Sequence, residues 1–344
     1  MLSLATQTPP HNLDQDIALA TARELMGGQF AGFERLAGVF ANAGIQQRQL
    51  ARPLDWYRTP RDFVERTQTY LEVALDLFVA TAEQALAEAG LAADQVDTVM
   101  TVSSTGIATP SIEARAMERM GFRSDIARVP VFGLGCAGGV TGVGLASRLA
   151  CSSPDHVVLM VTIELCSLTM RNASIDTPDV IAASLFGDGA AACVLRGGEG
   201  GFAEIVATAE TTWPGTLDVV GWEIGPEGLG VVLNRAIPSF VARNLRPAIE
   251  RMLEAQQLRL EDIDRFICHP GGAKVIDAIE GALSVNQGSL DAEREVLRRH
   301  GNMSAPTALF VLDRVRRGGM PPQSLLIGLG PGFTASTVTL RKAA

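Results

Sequence analysis

LAADQVDTVM (91–100) and LRLEDIDRFI (258–267) are two versions of one phrase. Each follows a helical pattern and runs into an apolar strand. Upstream of the first, Leu71, Leu75, Phe78, Ala82, Leu86 and Ala89 recur at helical spacing and Gly90 supplies a stop, which predicts a helix over 71–89. Upstream of the second, Val241, Leu245, Ile249, Met252 and Leu253 share one face and predict a helix near 240–256. Leu91 aligns with Leu258, Val96 with Ile263 and Asp97 with Asp264, at an offset of 167 residues in a chain of 344. The offset holds further on. The strand VVLMVTI at 157–163 lands on SLLIGL at 324–329, and the helix expected after Gly135 lands on one expected near Met303. Three elements at one offset predict an α/β chain made of two copies of one unit, residues 1–205 and 206–344.

Duplication has a mechanistic consequence. Two copies related by a pseudo-twofold axis bring equivalent helix N-termini together at the centre. At this offset Cys136 falls on Met303, beside Asn302. Helix N-termini carry unpaired N–H groups and positive partial charge. Such a spot lowers a thiol pKa and supplies donors to an oxyanion.

Composition narrows the classes. Hydrophobic residues make up 47% and charged residues 19%, enough for a buried core and against wholesale disorder. Asp and Glu outnumber Lys and Arg 38 to 29, a net charge of −9, with no basic block, which argues against a nucleic-acid or anionic-membrane binder. Aromatics at 5% and 35 glycines point to close-packed helices and glycine turns rather than a β-sandwich. The five cysteines show no zinc-ligand or CxxC spacing, so a reduced, cytoplasmic protein is expected. The opening MLSLATQTPPHNLDQD has neither the basic nor the apolar segment of a signal peptide. Residues 129–147 carry no charge, but a proline and many glycines mark them as strand, turn and central helix rather than a membrane span.

Three residues stand out chemically. Cys136 sits in VFGLGCAGG (131–139), the end of a strand, a tight turn and a helix start. Gly133 to Gly138 also fits G-x-G-x-x-G. A dinucleotide site wants an acidic residue at the end of the next strand. Asp155 lies at that strand's start and Glu164 too far along, so the cofactor reading is set aside. His269 closes the strand RFIC and precedes two glycines and a helix expected over 273–283, where α/β sites usually lie. Asn302, in GNMSAP, reads by itself as an N-cap. GLGPG at 328–332 runs into a strand and reads as a backbone wall of a pocket. Cys151, Cys166, Cys193 and Cys268 are expected as small core residues, and His11, His156 and His300 as surface histidines.

Taken together, the sequence resembles the type III polyketide synthases, the chalcone synthase family of the thiolase-like superfamily. The matching motifs are GCAGG around Cys136, LFGDGAAA at 185–192, HPGG at 269–272, GNMS at 301–304 and GLGPG at 328–332. The resemblance runs from residue 30 to the end. The ketoacyl synthase III enzymes share the Cys/His/Asn logic but typically show His-Gln-Ala-Asn and Asn-Thr-Ser instead.

The resemblance implies a thiolase-like, five-layered αβαβα fold built from two duplicated halves and working as a homodimer. It implies iterative decarboxylative condensation of malonyl-CoA onto an acyl-CoA starter. Cys136 becomes the nucleophile, held as thiolate by an imidazolium and a helix end, with His269 and Asn302 as donors to the enolate oxygen. Coenzyme A thioesters are the substrates, and no metal or redox cofactor is required. Phe186 matches the gatekeeper between the CoA tunnel and the cavity, and Val231 the second gatekeeper, without its ring. Thr105, Thr169, Ser304 and Gly330 match the cavity lining, and Thr109 a position that reaches into the partner's cavity. For CoA, Arg35 matches a contact lysine, with Gly271, Gly272 and Lys274 near the tunnel mouth. Gly38 and Asn42 stand where further basic residues are expected, and Arg48 is a weaker candidate. The alternatives are a single-condensation enzyme acting on an acyl-carrier protein, and a non-catalytic binder of CoA esters. The small Val231 predicts a wide cavity, hence medium- to long-chain fatty acyl starters and alkylpyrone or alkylresorcinol products, unless a bulky residue such as Trp222 fills the space.

Overall fold

The computed structural model describes residues 1–171, 175–225 and 227–343. The strands are β1 (Ser3–Gln7), β2 (His11–Asp14), β3 (Gln47–Leu50), β4 (Thr98–Val102), β5 (Ala127–Val131), β6 (Val157–Leu165), β7 (Asp188–Arg196), β8 (Ala203–Thr212), β9 (Val220–Gly225), β10 (Gly228–Leu233), β11 (Arg265–Cys268), β12 (Gln323–Gly330) and β13 (Thr334–Lys342). The helices of the first half are α1 (Gln15–Met26), α2 (Phe33–Leu36), α3 (Gly38–Ala41), α4 (Leu54–Tyr57), α5 (Phe63–Ala89), α6 (Ile112–Met120), α7 (Gly138–Ala150) and α8 (Thr177–Leu185). Those of the second are α9 (Ile237–Glu254), α10 (Ala273–Leu283), α11 (Asp291–His300) and α12 (Pro306–Arg317).

The duplication is visible in the sheets. One sheet has the order β1-β7-β6-β4-β5, the other β8-β13-β12-β11. In each, the inner pair is parallel (β4 with β6, β11 with β12) and the next two pairings are antiparallel. β5 has no counterpart, because the second copy places α11 at that point of the chain. The division expected at 205/206 falls within β8.

Three apolar cores separate five layers, which is the thiolase-like αβαβα arrangement. α5 and α6 cover the outer face of the first sheet through Phe78, Ala82 and Ile112. α9 and α10 cover the second sheet through Leu245, Ile249 and Ile276. Between the sheets lie α7 and α12, whose Val140, Val143, Leu309 and Leu312 meet Met160 from one sheet and Leu326 from the other. β6 is buried along its whole length, so its unbroken apolar run is that of a central strand covered on both faces.

The boundaries differ from expectation where caps decide them. α5 begins eight residues before Leu71, because Asp62 accepts from the Glu65 N–H at 2.8 Å and Glu65 reaches back in a capping box. It ends at Gly90, whose φ of +67° allows a left-handed stop. The helix expected near Met303 starts at Pro306. Asn302 is therefore not its N-cap: its Oδ1 accepts from the Ser304 N–H at 2.8 Å. The uncharged glycine-rich stretch owes its composition to contact between the central helices. A Cβ on Gly139 would lie 2.2 Å from the Ala305 carbonyl oxygen, and one on Gly142 2.7 Å from Met160 Sδ. Among the described residues no helix is long and apolar enough to cross a membrane.

Candidate active site

Cys136 lies in a 3-10 turn, Gly135–Ala137, that leads directly into α7. The turn is pinned from three sides. Gly133 and Gly135 donate their N–H groups to Ser104 Oγ at 3.2 and 3.0 Å. A Cβ on Gly135 would stand 2.7 Å from the Pro331 ring, and one on Gly330 2.5 Å from the Ala137 nitrogen. Gly330 thus gives the nucleophile turn its close approach to β12, which is a different use from lining a cavity.

His269 follows β11 and is buried, with its N–H donating to the Ile327 carbonyl at 2.8 Å. Neither ring nitrogen has a partner among the described residues, so both are available to a guest. Asn302 pairs backbone with the end of α8: its N–H donates to Leu185 O at 2.9 Å, and its carbonyl accepts from Gly187 N–H at 3.0 Å. Because its Oδ1 is held by Ser304, its Nδ2 is the end left over, with one long contact of 3.4 Å to Gly271 O. Cys136, His269, Asn302 and Phe186 share the wall of one cavity of about 440 Å³. Gly271, Gly272, Lys274, Asn42 and Arg235 line it toward its mouth.

Alone, each titrating group resists its charge. Burial pushes the Cys136 thiol up to about 11, against hydrogen bonding to Ser304 that pulls it down; the Glu164 charge pushes it further up. Burial pulls His269 down to about 4. Passing the thiol proton to the imidazole is another matter. It would create both charges together, and at close range their attraction would offset part of the desolvation of each.

Glu164 was missed as a site residue. Burial raises its carboxyl to about 7, against hydrogen bonds from Ser104 N–H at 2.9 Å and Thr105 Oγ1 at 2.8 Å. Its Oε1 has no partner. A carboxylate near the carboxyl end of an otherwise apolar buried strand was the available signal. Arg235 was also missed, lying outside every motif.

The other expected residues scatter. Thr105 is buried against Glu164, and Ser304 against Cys136. Thr169 and Val231 line a second chamber of about 60 Å³, and Phe186 lines both cavities. Trp222 sits directly opposite Val231 in the β9–β10 ladder, with its ring centroid 6.5 Å from that of Phe186. Trp222 thus brings a ring beside Phe186 from the neighbouring strand, without lining either cavity. Thr109 is exposed, outside the chain's own site. Arg35 is exposed on α2, and Gly38 and Asn42 lie on and just after α3. Two expectations are corrected. Arg48 is 1% exposed and cannot be a CoA contact at the mouth. Cys151 is exposed, because α7 ends there at the surface rather than in a core.

The family models named Chalcone and stilbene synthases, N-terminal domain and C-terminal domain, match residues 59–199 and 204–344. The chain belongs to the chalcone and stilbene synthase family. It is a type III polyketide synthase, an acyltransferase that forms carbon–carbon bonds from malonyl-CoA. The family works on coenzyme A thioesters and needs no further cofactor. A 1,3,6,8-tetrahydroxynaphthalene synthase of Streptomyces peucetius subsp. caesius is 37% identical over 345 residues, covering 98% of this chain and 91% of that protein. The alpha-pyrone synthesis polyketide synthase-like Pks18 of Mycobacterium tuberculosis is 29% identical over 349 residues, covering 96% and 88%. The crystal structure of the tetrahydroxynaphthalene synthase of Streptomyces coelicolor superposes with a TM-score of 0.94 at 26% identity, covering 100% of this chain and 99% of that one.

The site electrostatics generate one experiment in this synthase, the pH profile of Cys136 alkylation by an uncharged reagent, read in a Cys151→Ser background. Removing the Glu164 charge relieves the push on the thiol, so Glu164→Gln is expected to move the profile to lower pH. His269→Gln removes the proton acceptor and is expected to move it to higher pH. Superimposable profiles would show that neither group acts on the thiol.

Proposed function

We propose that Cys136 carries the growing acyl chain and that His269 and Asn302 hold the enolate of malonyl-CoA. The observation that carries this is the tethering of Asn302. With Oδ1 fixed by Ser304, the amide presents a donor beside the partnerless imidazole and Cys136. A starter thioester enters past Lys274 and Arg235, exposed cations suited to the CoA phosphates. His269 takes the Cys136 proton, the thiolate attacks the thioester carbonyl, and the CoA sulfur leaves with that proton. Malonyl-CoA then loses CO2. The electron pair moves to its thioester oxygen, which receives an N–H from neutral His269 and one from Asn302. The enolate carbon attacks the Cys136 thioester, the Cys136 thiolate departs, and the extended chain on CoA returns for the next round.

The finer reading is an alkyl starter of medium length. It rests on the second chamber that Phe186 lines, walled by Ala18, Ala22, Leu25 and Met26 of α1. An apolar chamber beside a thioester site favours an apolar chain, by about 0.8 kcal/mol, or roughly fourfold, per methylene buried. With about 60 Å³ of room, and roughly 10–15 Å³ needed per water-sized group, the chamber takes about four to six such groups. A hexanoyl chain, with about five carbons beyond its carbonyl, fits these dimensions, and an octanoyl chain fits with about one of its seven left in the outer cavity; a palmitoyl chain, with about fifteen, does not fit, which disfavours the long starters expected from Val231. Trp222 beside Phe186 favours a second reading: malonyl-CoA alone as starter, with a small aromatic product of the kind the naphthalene synthase relatives are named for.

The dimer enters as part of the same proposal. β5 is an edge strand, and the neighbouring Phe132 and Ile107 are 54% and 49% exposed. An unpaired edge with apolar neighbours suits a second copy of the chain. It would carry the Thr109 loop toward the partner's cavity.

Three outcomes are expected. Cys136→Ala abolishes polyketide formation but leaves slow malonyl-CoA decarboxylation, measured as CO2 release; full-length product from this variant would remove Cys136 from its role. In wild type, octanoyl-CoA outcompetes palmitoyl-CoA about tenfold, and Ala22→Phe, which fills the chamber, lowers octanoyl use without touching acetyl use; product from malonyl-CoA alone with no acyl-CoA incorporated would establish the second reading. Phe132→Glu converts a dimer to a monomer in sedimentation velocity, and a dimer that persists would place the interface elsewhere.

A further inference from the structure

Arg48 has an environment that the reaction as described does not use. It is the largest of the fully buried side chains, yet it forms no salt bridge among the described residues. Burial lowers its pKa to about 10, with the Asp188 charge opposing. A guanidinium placed there without a carboxylate at hydrogen-bond distance is costly unless its donors are used. Nη1 donates to the carbonyls of Ala183 at 2.8 Å and Phe186 at 3.2 Å, and Nη2 donates to Gln15 Oε1. Gln15 in turn donates to the Ser184 carbonyl at 3.0 Å and to Phe40 O on α3 at 3.0 Å. The carbonyl of Leu185 is taken by Asn302.

Four successive carbonyls at the end of α8 are therefore satisfied by three side chains or segments from elsewhere in the fold. Helix C-termini carry negative partial charge and orphan carbonyls, so a cation there is well placed. The end so fixed bears Phe186, and it pairs with Asn302 through the Phe186–Asn302 bridge. The Arg48 stem packs behind that bridge: a Cβ on Gly187 would be 3.2 Å from Arg48 Cβ and 2.3 Å from the His300 carbonyl.

We propose that Arg48 is a positioning residue, whose fork clamps the end of α8 and so holds Phe186 and Asn302 in one geometry about Cys136. The proposal rests on the roles given above to Phe186 and Asn302. Gln15 is the second arm of the clamp and ties it to α3 at the CoA mouth.

The test compares Arg48→Lys, which keeps the charge and loses the fork, with its parent. Decarboxylation of malonyl-CoA is measured in the Cys136→Ala background, where Asn302 acts without the nucleophile, and product distribution in the background with Cys136 intact. Thermal melting and Cys136 alkylation report on folding. A displacement of about 1 Å costs roughly 100-fold in rate. Arg48→Lys is thus expected to lower the decarboxylation kcat by about that factor, leave KM for malonyl-CoA within about twofold, and shift the products toward shorter chains. Gln15→Leu should act in the same direction, by about tenfold, and carries the test should Arg48→Lys fail to fold. A lowered melting temperature with unchanged kcat and products would make Arg48 purely structural and overturn the proposal. A Cys136→Ala parent that releases no CO2 would instead overturn the enolate assignment itself.

Discussion

Everything at the site depends on how closely two helices can meet. α7 and α12 start from equivalent points of the two copies, between two sheets, and their N-terminal ends touch backbone to backbone. Gly139 permits this, since any side chain there would strike the Ala305 carbonyl. The contact places the turn bearing Cys136 against the segment 301–305, and with it Asn302 and Ser304. β11, at the register of β4 in the second sheet, brings His269 to the same point from its carboxyl end. Glycines continue the pattern outward: Gly135 against Pro331, and Gly330 against Ala137. The nucleophile is exact in place because it is held by backbone, which has few alternative positions, rather than by side chains.

That tight enclosure sets the electrostatic problem. A buried thiol and a buried imidazole each oppose ionisation, yet the chemistry needs the thiol to give up its proton. Among the described residues both ring nitrogens of His269 are without a bond, so the imidazole on the wall shared with Cys136 has no competing partner. In the proposed mechanism the same imidazole is neutral in the next step, when it donates to an enolate oxygen. Burial favours the neutral ring whenever the thiol is acylated and no counter-charge remains. In the proposed mechanism one residue can thus serve both steps, because acylation of Cys136 removes the thiolate charge that would stabilise the imidazolium.

The parts of this arrangement that depend on local order in the chain were legible. The repeated phrases located four elements and the duplication, and the strand–turn–helix around Cys136 was fixed by its glycines. The strand-end position of His269 followed in the same way. What the residues could not reveal are relations made by pairing across the fold. Glu164 matters because β6 lies beside the loop after β4, and Trp222 because β9 pairs with β10 in a register that sets it against Val231. Arg48 read as a surface cation, since nothing local announces that a β3 arginine will be buried under the end of α8. Cys151 went wrong because a free cysteine is by type a small core residue, whereas α7 ends at the surface there.

The pairing of Val231 with Trp222 also explains why cavity size cannot be judged one position at a time. Two residues directly opposite in an antiparallel ladder project to the same face. A ring lost from one strand can be regained from the other at nearly the same place. Trp222 stands next to Phe186, while the chamber that Val231 and Phe186 line extends toward α1. The consequence is a site in two parts, an outer cavity for CoA chemistry and a small second chamber, with Phe186 lining both. Under the proposed function, α1 and Phe186 together would limit chain length, since lengthening the chain by one group would require either to move.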